Sequence, residues 1–384
     1  MHRRHFLALS GAALLAPLPP AFAATDSKWQ RDLDGFIADR MAWTHTPGLS
    51  IALVKNGRAV FAKGYGYADV ARARPTTADT VFQIASVSKT ATATAMMMLS
   101  EDGAFKLDDA VAPHLDFPFV HPKFPDVPIT FRHLFTHTSG ISDAVYDDLQ
   151  FTAPVPPLRD FLVSYLVPGG SRYDAAKCWS DAKPGTQWSY SNVAVALLGY
   201  LCGRVNPVPL DALTKARLFG PLGMRETAWR YEGISDDRLA LPYDFDSARY
   251  KLLPRTIYPD WPAGLLCTSA NDFAKFLAMY TAGGTLGGHR YLKPETIAAM
   301  FTPDAVVVDP NRPEVRQGLI WVLEPYQGRP VALHPGGDPG SLTVAAIDIE
   351  ARVAALAFAN ITPSADVGAL HKELIHRLLD KGRG

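Results

Sequence analysis

The sequence predicts an α/β (α+β) fold: a central antiparallel sheet flanked by helices, interrupted by a mainly helical insert. Three observations carry this. Strand-like apolar runs lie near both ends of the chain. Neighbouring runs are joined by tight turns. The middle is rich in proline, and its apolar residues recur with helical spacing. Hairpin connections make the sheet antiparallel. Its strands are assigned to residues 44–70 and 256–384, and the insert to about 104–255. A cleft between the two parts is the expected place for a ligand site.

The elements follow in order. Trp29 to Trp43 has helical apolar spacing. Leu49 to Val54 reads as a strand, Asn56-Gly57 as a tight turn and Ala59 to Gly64 as the return strand. Val87 to Leu99 is a long helical stretch, with Gly103 placed to close it. The run Met96-Met97-Met98 inside it is read as core filler. In the insert, Val193 to Leu201 and Leu210 to Leu218 are helical. Beyond it, Gly264 to Thr268 reads as a strand and Asp272 to Thr281 as a helix. Leu319 to Leu323, Leu342 to Ile349 and Val353 to Ala359 are strand-like, with Glu350-Ala351 as a turn. Val367 to Leu379 is a terminal helix.

The first 23 residues read as an export signal rather than as part of the fold. His2-Arg3-Arg4-His5 is a positive n-region, Phe6 to Leu18 a short apolar stretch, and Ala21-Phe22-Ala23 a small-x-small cleavage site. Arg3-Arg4-His5-Phe6-Leu7 resembles the twin-arginine signal of bacteria, so the expected location is periplasmic. The stretch is too short to span a bilayer, and no stable membrane span is expected. Residues 24–384 then form one domain.

Composition excludes several partners. Lys+Arg and Asp+Glu both total 38, a formal net charge of zero. Nucleic-acid binding and polybasic membrane binding both leave a basic excess, so neither is expected. Cys178, Cys202 and Cys267 lie far apart without ligand spacing, and Cys202 and Cys267 sit in apolar surroundings as buried thiols. His133 and His137 have helical metal spacing but no following glutamate, and His137 reads as structural. No metal and no cofactor is expected. The absence of Gly-x-Ser-x-Gly argues against an α/β-hydrolase elbow. Gly64-x-Gly66 lacks the third glycine of a dinucleotide loop.

Chemistry is expected at Ser86-Val87-Ser88-Lys89. On a helix, residues i and i+3 share a face. A serine hydroxyl needs a neighbouring base, and a lysine drawn out of water can serve. The N–H of Ser86 at a helix start can face a developing oxyanion. Ser-x-x-Lys alone is a weak pattern, and an N-cap serine would look the same. A second copy, Ser180 to Lys183, runs into Pro184-Gly185 and cannot hold helical geometry. Two later motifs supply partners. Tyr190-Ser191-Asn192 offers a phenol beside the lysine and an amide for a substrate carbonyl; a plain N-cap at Asn192 is the alternative. His334-Pro335-Gly336-Gly337 offers a glycine pair through which a strand edge can approach substrate; a plain turn is the alternative.

Ser86-x-x-Lys89, Tyr190-x-Asn192 and His334-x-Gly336, in that order, resemble the penicillin-recognising serine hydrolases. The resemblance is to the branch with class C β-lactamases, D-Ala-D-Ala carboxypeptidases, D-aminopeptidases and esterases. Supporting stretches include Leu134 to Gly140, Pro221 to Met224, and Gly318-Leu319-Ile320-Trp321, which falls where the family has Gly-Leu-Gly-Trp. The resemblance implies a β-lactamase-like fold and an acyl-enzyme on Ser86, with Lys89 and Tyr190 moving the proton. It implies an oxyanion held by the N–H groups of Ser86 and Gly337, and substrate contacts from Asn192, His334, Gly336 and Gly337. His334 stands where β-lactamases of this type carry a lysine, and Pro335 replaces a hydroxyl residue, so efficient β-lactam hydrolysis is not expected. Small ester, amide or D-amino-acid peptide substrates fit the resemblance better. A non-catalytic cell-wall (muropeptide) binding protein of the same fold is the alternative. Tyr146, Trp179, Trp188 and Trp261 could line the pocket or belong to the core. Sequence does not fix the oligomeric state.

Overall fold

The computed structural model describes residues 27–145 and 154–384. The proposed signal segment and Tyr146 lie outside the described residues. The compact unit that carries the site runs from Met41 to Gly384.

Helix α1, Lys28–Thr44, follows the expected helical spacing. Strands β1, Gly48–Lys55, and β2, Arg58–Asp69, form the first hairpin, with Asn56 and Gly57 both at positive φ in the turn. Short strands β3, Arg74–Pro75, and β4, Val81–Gln83, lead to a 3₁₀ turn, Ala85–Val87, and helix α2, Ser88–Glu101. Gly103, at φ +84, closes that helix as expected. Residues 104–255 contain helices α3, Phe131–Phe135, α4, Leu158–Leu166, α5, Asn192–Val205, and α6, Leu210–Thr214. They also contain a hairpin of β5, Tyr243–Asp246, and β6, Arg249–Leu252, which the helical spacing did not suggest. After α6 the helix widens into a π turn at Lys215–Phe219.

The chain then returns to the sheet side. Strand β7, Cys267–Ser269, pairs with β4, and is shorter than the expected run from Gly264. Helix α7, Ala270–Thr281, follows with Ser269 as its N-cap. A small hairpin of β8, Thr285–Leu286, and β9, His289–Arg290, precedes helix α8, Pro294–Met300. Strands β10, Arg316–Gln317, β11, Val322–Tyr326, β12, Arg329–Asp338, β13, Ser341–Asp348, and β14, Val353–Ala359, lead to the terminal helix α9, Ala365–Arg383.

The large sheet has eight strands in the order β10-β11-β12-β13-β14-β1-β2-β3, and its β10-to-β2 pairings are antiparallel, as is β2 with β3. Strands from the two ends of the chain meet at β14 and β1, paired from Leu49↔Ala359 to Lys55↔Val353. All seven residues of β14 are buried, because both faces of the sheet are covered there. Phe358 projects to one face against Phe82 and Phe273 of α7. On the opposite face, Pro335, Leu342 and Val344 border α9 across an apolar groove.

The expected strand from Leu319 to Leu323 splits. Gly318 to Trp321 instead forms a bend between β10 and β11, with Ile320 at φ +71. A β-branched residue is strained there, and the family segment has glycine at this place. Its side chain is fully buried, and its N–H donates to the Phe135 carbonyl at 2.8 Å, which holds the bend against α3. Met96, Met97 and Met98 are core residues. The three cysteines are free and buried. Among the described residues no single helix is long and apolar enough to cross a membrane.

Phe358 is completely buried at the seam where the two ends of the chain pair. Truncation to alanine leaves a ring-sized cavity. Phe358→Ala is expected to lower unfolding free energy by about 3–5 kcal/mol in denaturant titration. A loss below about 1 kcal/mol would contradict this packing.

Candidate active site

Ser86 lies in the 3₁₀ turn that opens α2, directly after Ala85, whose φ is +45. The left-handed residue turns the chain sharply from β4 into the helix. Ser86 is not an N-cap: neither the turn nor α2 has a side-chain capping bond. Its hydroxyl instead meets Lys89, whose Nζ donates to Ser86 Oγ at 3.0 Å. The decoy pair fails as expected, since Ser180 and Lys183 sit in irregular chain.

Lys89 is fully buried. Its Nζ also donates to Asn192 Oδ1 at 2.6 Å and to the Ala263 carbonyl at 2.7 Å. Three donors of an ammonium are thus matched by three acceptors. Two of these, the amide oxygen and the carbonyl, can only accept. If the ammonium loses one proton, they retain the two remaining N–H groups, and the lone pair faces Ser86. The arrangement therefore suits both protonation states of the lysine, with the exchangeable position aimed at the serine oxygen.

The Ala263 carbonyl is placed by polar residues of α2. Thr92 Oγ1 donates to the Pro262 carbonyl at 2.7 Å, and Ser88 Oγ accepts from Leu266 N–H at 3.0 Å. These hydroxyls are buried and are satisfied by the segment they hold.

Asn192 is the first residue of α5, and Ser191 is the N-cap, its Oγ accepting from Ala194 N–H at 3.0 Å. Asp143, which sequence reasoning did not single out, fixes this corner. Its carboxylate accepts from Ser191 Oγ at 2.7 Å, Asn192 N–H at 2.5 Å and Val193 N–H at 3.4 Å. Burial pushes its carboxyl above the usual range, while those donors and Lys89 pull the other way. With Oδ1 on Lys89, the Nδ2 of Asn192 is left to donate to a substrate carbonyl.

Tyr190 presents its ring to the lysine, with Nζ 5.0 Å from the ring centroid. Its hydroxyl makes no hydrogen bond to the described residues. The phenol expected beside the lysine thus meets it through the ring face and not through its hydroxyl. His137 holds this tyrosine from behind. The two ring centroids are 4.6 Å apart, and His137 Nδ1 accepts from Ser191 N–H at 3.2 Å. His137 is at φ +56, completely buried, and held neutral by that burial and by the Lys89 charge. Its contacts to Tyr190 and Ser191 are structural, and among the described residues no group of His, Cys, Asp and Glu is placed to hold a metal.

The third motif lies inside β12 rather than in a turn. β11 pairs with β12 only as far as Leu333, and the Ser86 turn packs where that partner stops. Gly336 explains how. A Cβ there would come within 2.7 Å of the Ile84 carbonyl and 3.0 Å of Ser86 N. Its missing side chain admits the protein's own Ser86 turn, where the sequence suggested room for substrate. Gly337 is exposed on the same unpaired stretch, and Pro335 points to the opposite face, toward α9. His334 is buried, its ring 6.4 Å from that of Tyr190 and its Nδ1 donating to the Pro335 carbonyl at 2.7 Å. Burial first, and the Lys89 charge second, push its pKa down to about 3. It supplies no cation near neutral pH.

A cavity of about 280 Å³ adjoins the site, bordered by Tyr258, Trp261 and Leu265 and by insert residues such as Pro157 and Tyr231. Of the aromatic candidates, Trp261 borders this cavity and Trp179 is core. Trp188 is half-buried and donates to Gln317 Oε1 at 3.0 Å.

A buried lysine bonded to a serine at the head of a helix, beside an antiparallel strand, marks a serine-hydrolase fold of the β-lactamase and penicillin-binding type. The chain belongs to the beta-lactamase family, whose sequence model matches residues 33–380. It is similar to Protein flp of Staphylococcus aureus (strain NCTC 8325 / PS 47), 27% identical over 249 residues, covering 65% of this chain and 48% of the relative. The chain spans about half the length of such curated relatives. Among solved structures it is similar to the octameric penicillin-binding protein homologue from Pyrococcus abyssi. The TM-score is 0.77 at 27% identity, covering 92% of this chain and 78% of that one. It also shares the fold of D-amino acid amidase from Ochrobactrum anthropi SV3 complexed with L-phenylalanine amide. There the TM-score is 0.74 at 23% identity, covering 92% and 98%.

The depressed His334 pKa fixes a stability trend. Between its ordinary value of 6.5 and about 3, the unfolded chain binds a proton at this imidazole that the folded chain does not. Stability is then retained above pH 6.5 and lost as pH falls, by up to about 1.4 kcal/mol per unit. His371, pushed down to about 4 by burial, adds a second contribution of the same sign. Denaturant titrations from pH 7 to pH 4 should show a slope shallower by about one proton in His334→Asn. An unchanged slope would contradict a neutral His334.

Proposed function

We propose that this chain is a serine hydrolase that forms an acyl-enzyme on Ser86 with small ester, amide or D-amino-acid peptide substrates. The observation that carries the reading is the buried Lys89 amine, 3.0 Å from Ser86 Oγ and fixed by two acceptors that cannot donate. Ser86 Oγ attacks the substrate carbonyl carbon, and its proton passes to the lysine. The carbonyl oxygen becomes an oxyanion facing the N–H groups of Ser86 and Gly337. The bond to the leaving group breaks as that group takes a proton through Tyr190, whose unbonded hydroxyl is free to turn toward it. Water then attacks the acyl carbon by the same route in reverse and frees Ser86.

Two features argue against efficient β-lactam turnover. A neutral His334 and an outward Pro335 leave that strand without the cation and hydroxyl that would hold a β-lactam carboxylate. D-amino acid amidase, which shares this fold, forms a complex with L-phenylalanine amide, and that supports amide substrates here. The N-terminal export pattern of residues 1–23 supports action in the periplasm.

A fluorophosphonate probe is expected to label the wild-type chain and not Ser86→Ala. Lys89→Ala should lower kcat/KM for p-nitrophenyl butyrate by at least about 10³-fold, as for loss of a paired base. Label retained on Ser86→Ala would overturn the proposal. Tight muropeptide binding with no Ser86-dependent turnover would favour the non-catalytic alternative.

A further inference from the structure

The end of β12 carries one more charged group beside Ser86. Strand alternation puts His334, Gly336 and Asp338 on one face, and Gly336 lies against Ser86 N. Asp338 Oδ2 accepts from Gln83 Nε2 and from the Tyr258 hydroxyl, both at 2.7 Å. Gln83 also donates to the Gly264 carbonyl at 3.1 Å, next to the Ala263 carbonyl that holds Lys89. The carboxylate is thus built into the frame that positions the nucleophile.

Its two partners are neutral donors, and its second oxygen makes no hydrogen bond to the described residues. Cations in the neighbourhood are committed elsewhere. Lys89 is bonded to three acceptors, Arg255 pairs with Asp236 at 2.7 Å, and Arg230 lies over the Trp261 ring. An ionised carboxylate drawn out of water without a cation is costly. Burial indeed raises the pKa of Asp338, against the pull of Tyr258, Gln83 and Lys89. A cation supplied by a ligand would relieve that cost.

Position along the strand says which part of the substrate carries it. His334 and Tyr190 mark the leaving-group end, with rings 6.4 Å apart. Asp338 lies at the other end of the motif, roughly 7 Å along the strand from Gly336. It therefore faces the acyl part. Resting on the acyl-enzyme reading above, we propose that Asp338 binds a protonated amine on the acyl group. The preferred substrates are then aminoacyl amides and esters, or short peptides with a free N-terminus, and not N-acylated compounds.

The test compares alanine p-nitroanilide in both stereochemical forms with its N-acetyl derivatives, using p-nitrophenyl butyrate as a neutral reference. The wild-type chain should prefer the free amine by at least about 30-fold in kcat/KM, the scale of one charged hydrogen bond. Asp338→Asn should cut that preference at least tenfold, and Asp338→Glu should restore part of it. Equal turnover of free and acetylated substrates by wild type overturns the inference, as does a preference that survives in Asp338→Asn. Should Asp338→Asn fail to fold, the wild-type ratio alone decides. Ser86-dependent butyrate turnover without amine preference removes this inference only. Absence of labelling and of all turnover removes the acyl-enzyme reading itself.

Discussion

Lys89 is a primary amine with no access to solvent, and the rest of the site is arranged around that fact. A buried amine must have its N–H groups satisfied. The acceptors come from the 3₁₀ turn at the head of its own helix, from the first residue of α5, 103 residues along the chain, and from the turn before β7, 174 residues along. Each acceptor then needs its own support. Thr92 and Ser88 hold the turn, and Asp143 with Ser191 holds the start of α5. A single burial requirement thus determines which parts of insert and sheet must meet.

The charges around this amine are unlike those of a site built for carboxylates. Both nearby imidazoles, His137 and His334, are neutral through burial and through the lysine itself. Asp143 and Asp338 are half-buried carboxylates held by neutral donors. Among the described residues the cation bonded to Ser86, Lys89, is thus spent on its own framework, and carboxylate oxygen stands at the far edge. Substrates that bring negative charge gain little from it.

Close approach is the other constraint. The Ser86 turn can lie against β12 only because Gly336 has no side chain and because β11 ends its pairing at Leu333. Strain is accepted nearby at Ala85, His137 and Ile320, all with positive φ. Each is fixed by burial or by backbone hydrogen bonds, which is how strained residues persist.

Much of this was legible in the sequence. Period and turn residues located β1, β2, β13, β14 and the main helices, because hydrophobic patterning is a local property of the chain. The three motifs named Ser86, Lys89, Tyr190, Asn192, His334, Gly336 and Gly337, and helix context separated Ser86 from the decoy Ser180. The β5–β6 hairpin escaped because each strand alternates over only four residues, and β6 is wholly exposed, so neither stands out from the surrounding chain. Asp143, the Ala263 carbonyl, Gln83, Tyr258 and Asp338 escaped for a different reason. A carbonyl has no residue-type signature, and a lone carboxylate has no meaning until its donors are known. Sequence by itself determined the class of fold and the pairing of Ser86 with Lys89, since both rest on short-range spacing. Tertiary structure alone decided that Gly336 makes room for the Ser86 turn, that His334 is neutral and that Asp338 stands beside the site. Those properties depend on burial and on contacts between segments far apart in the chain.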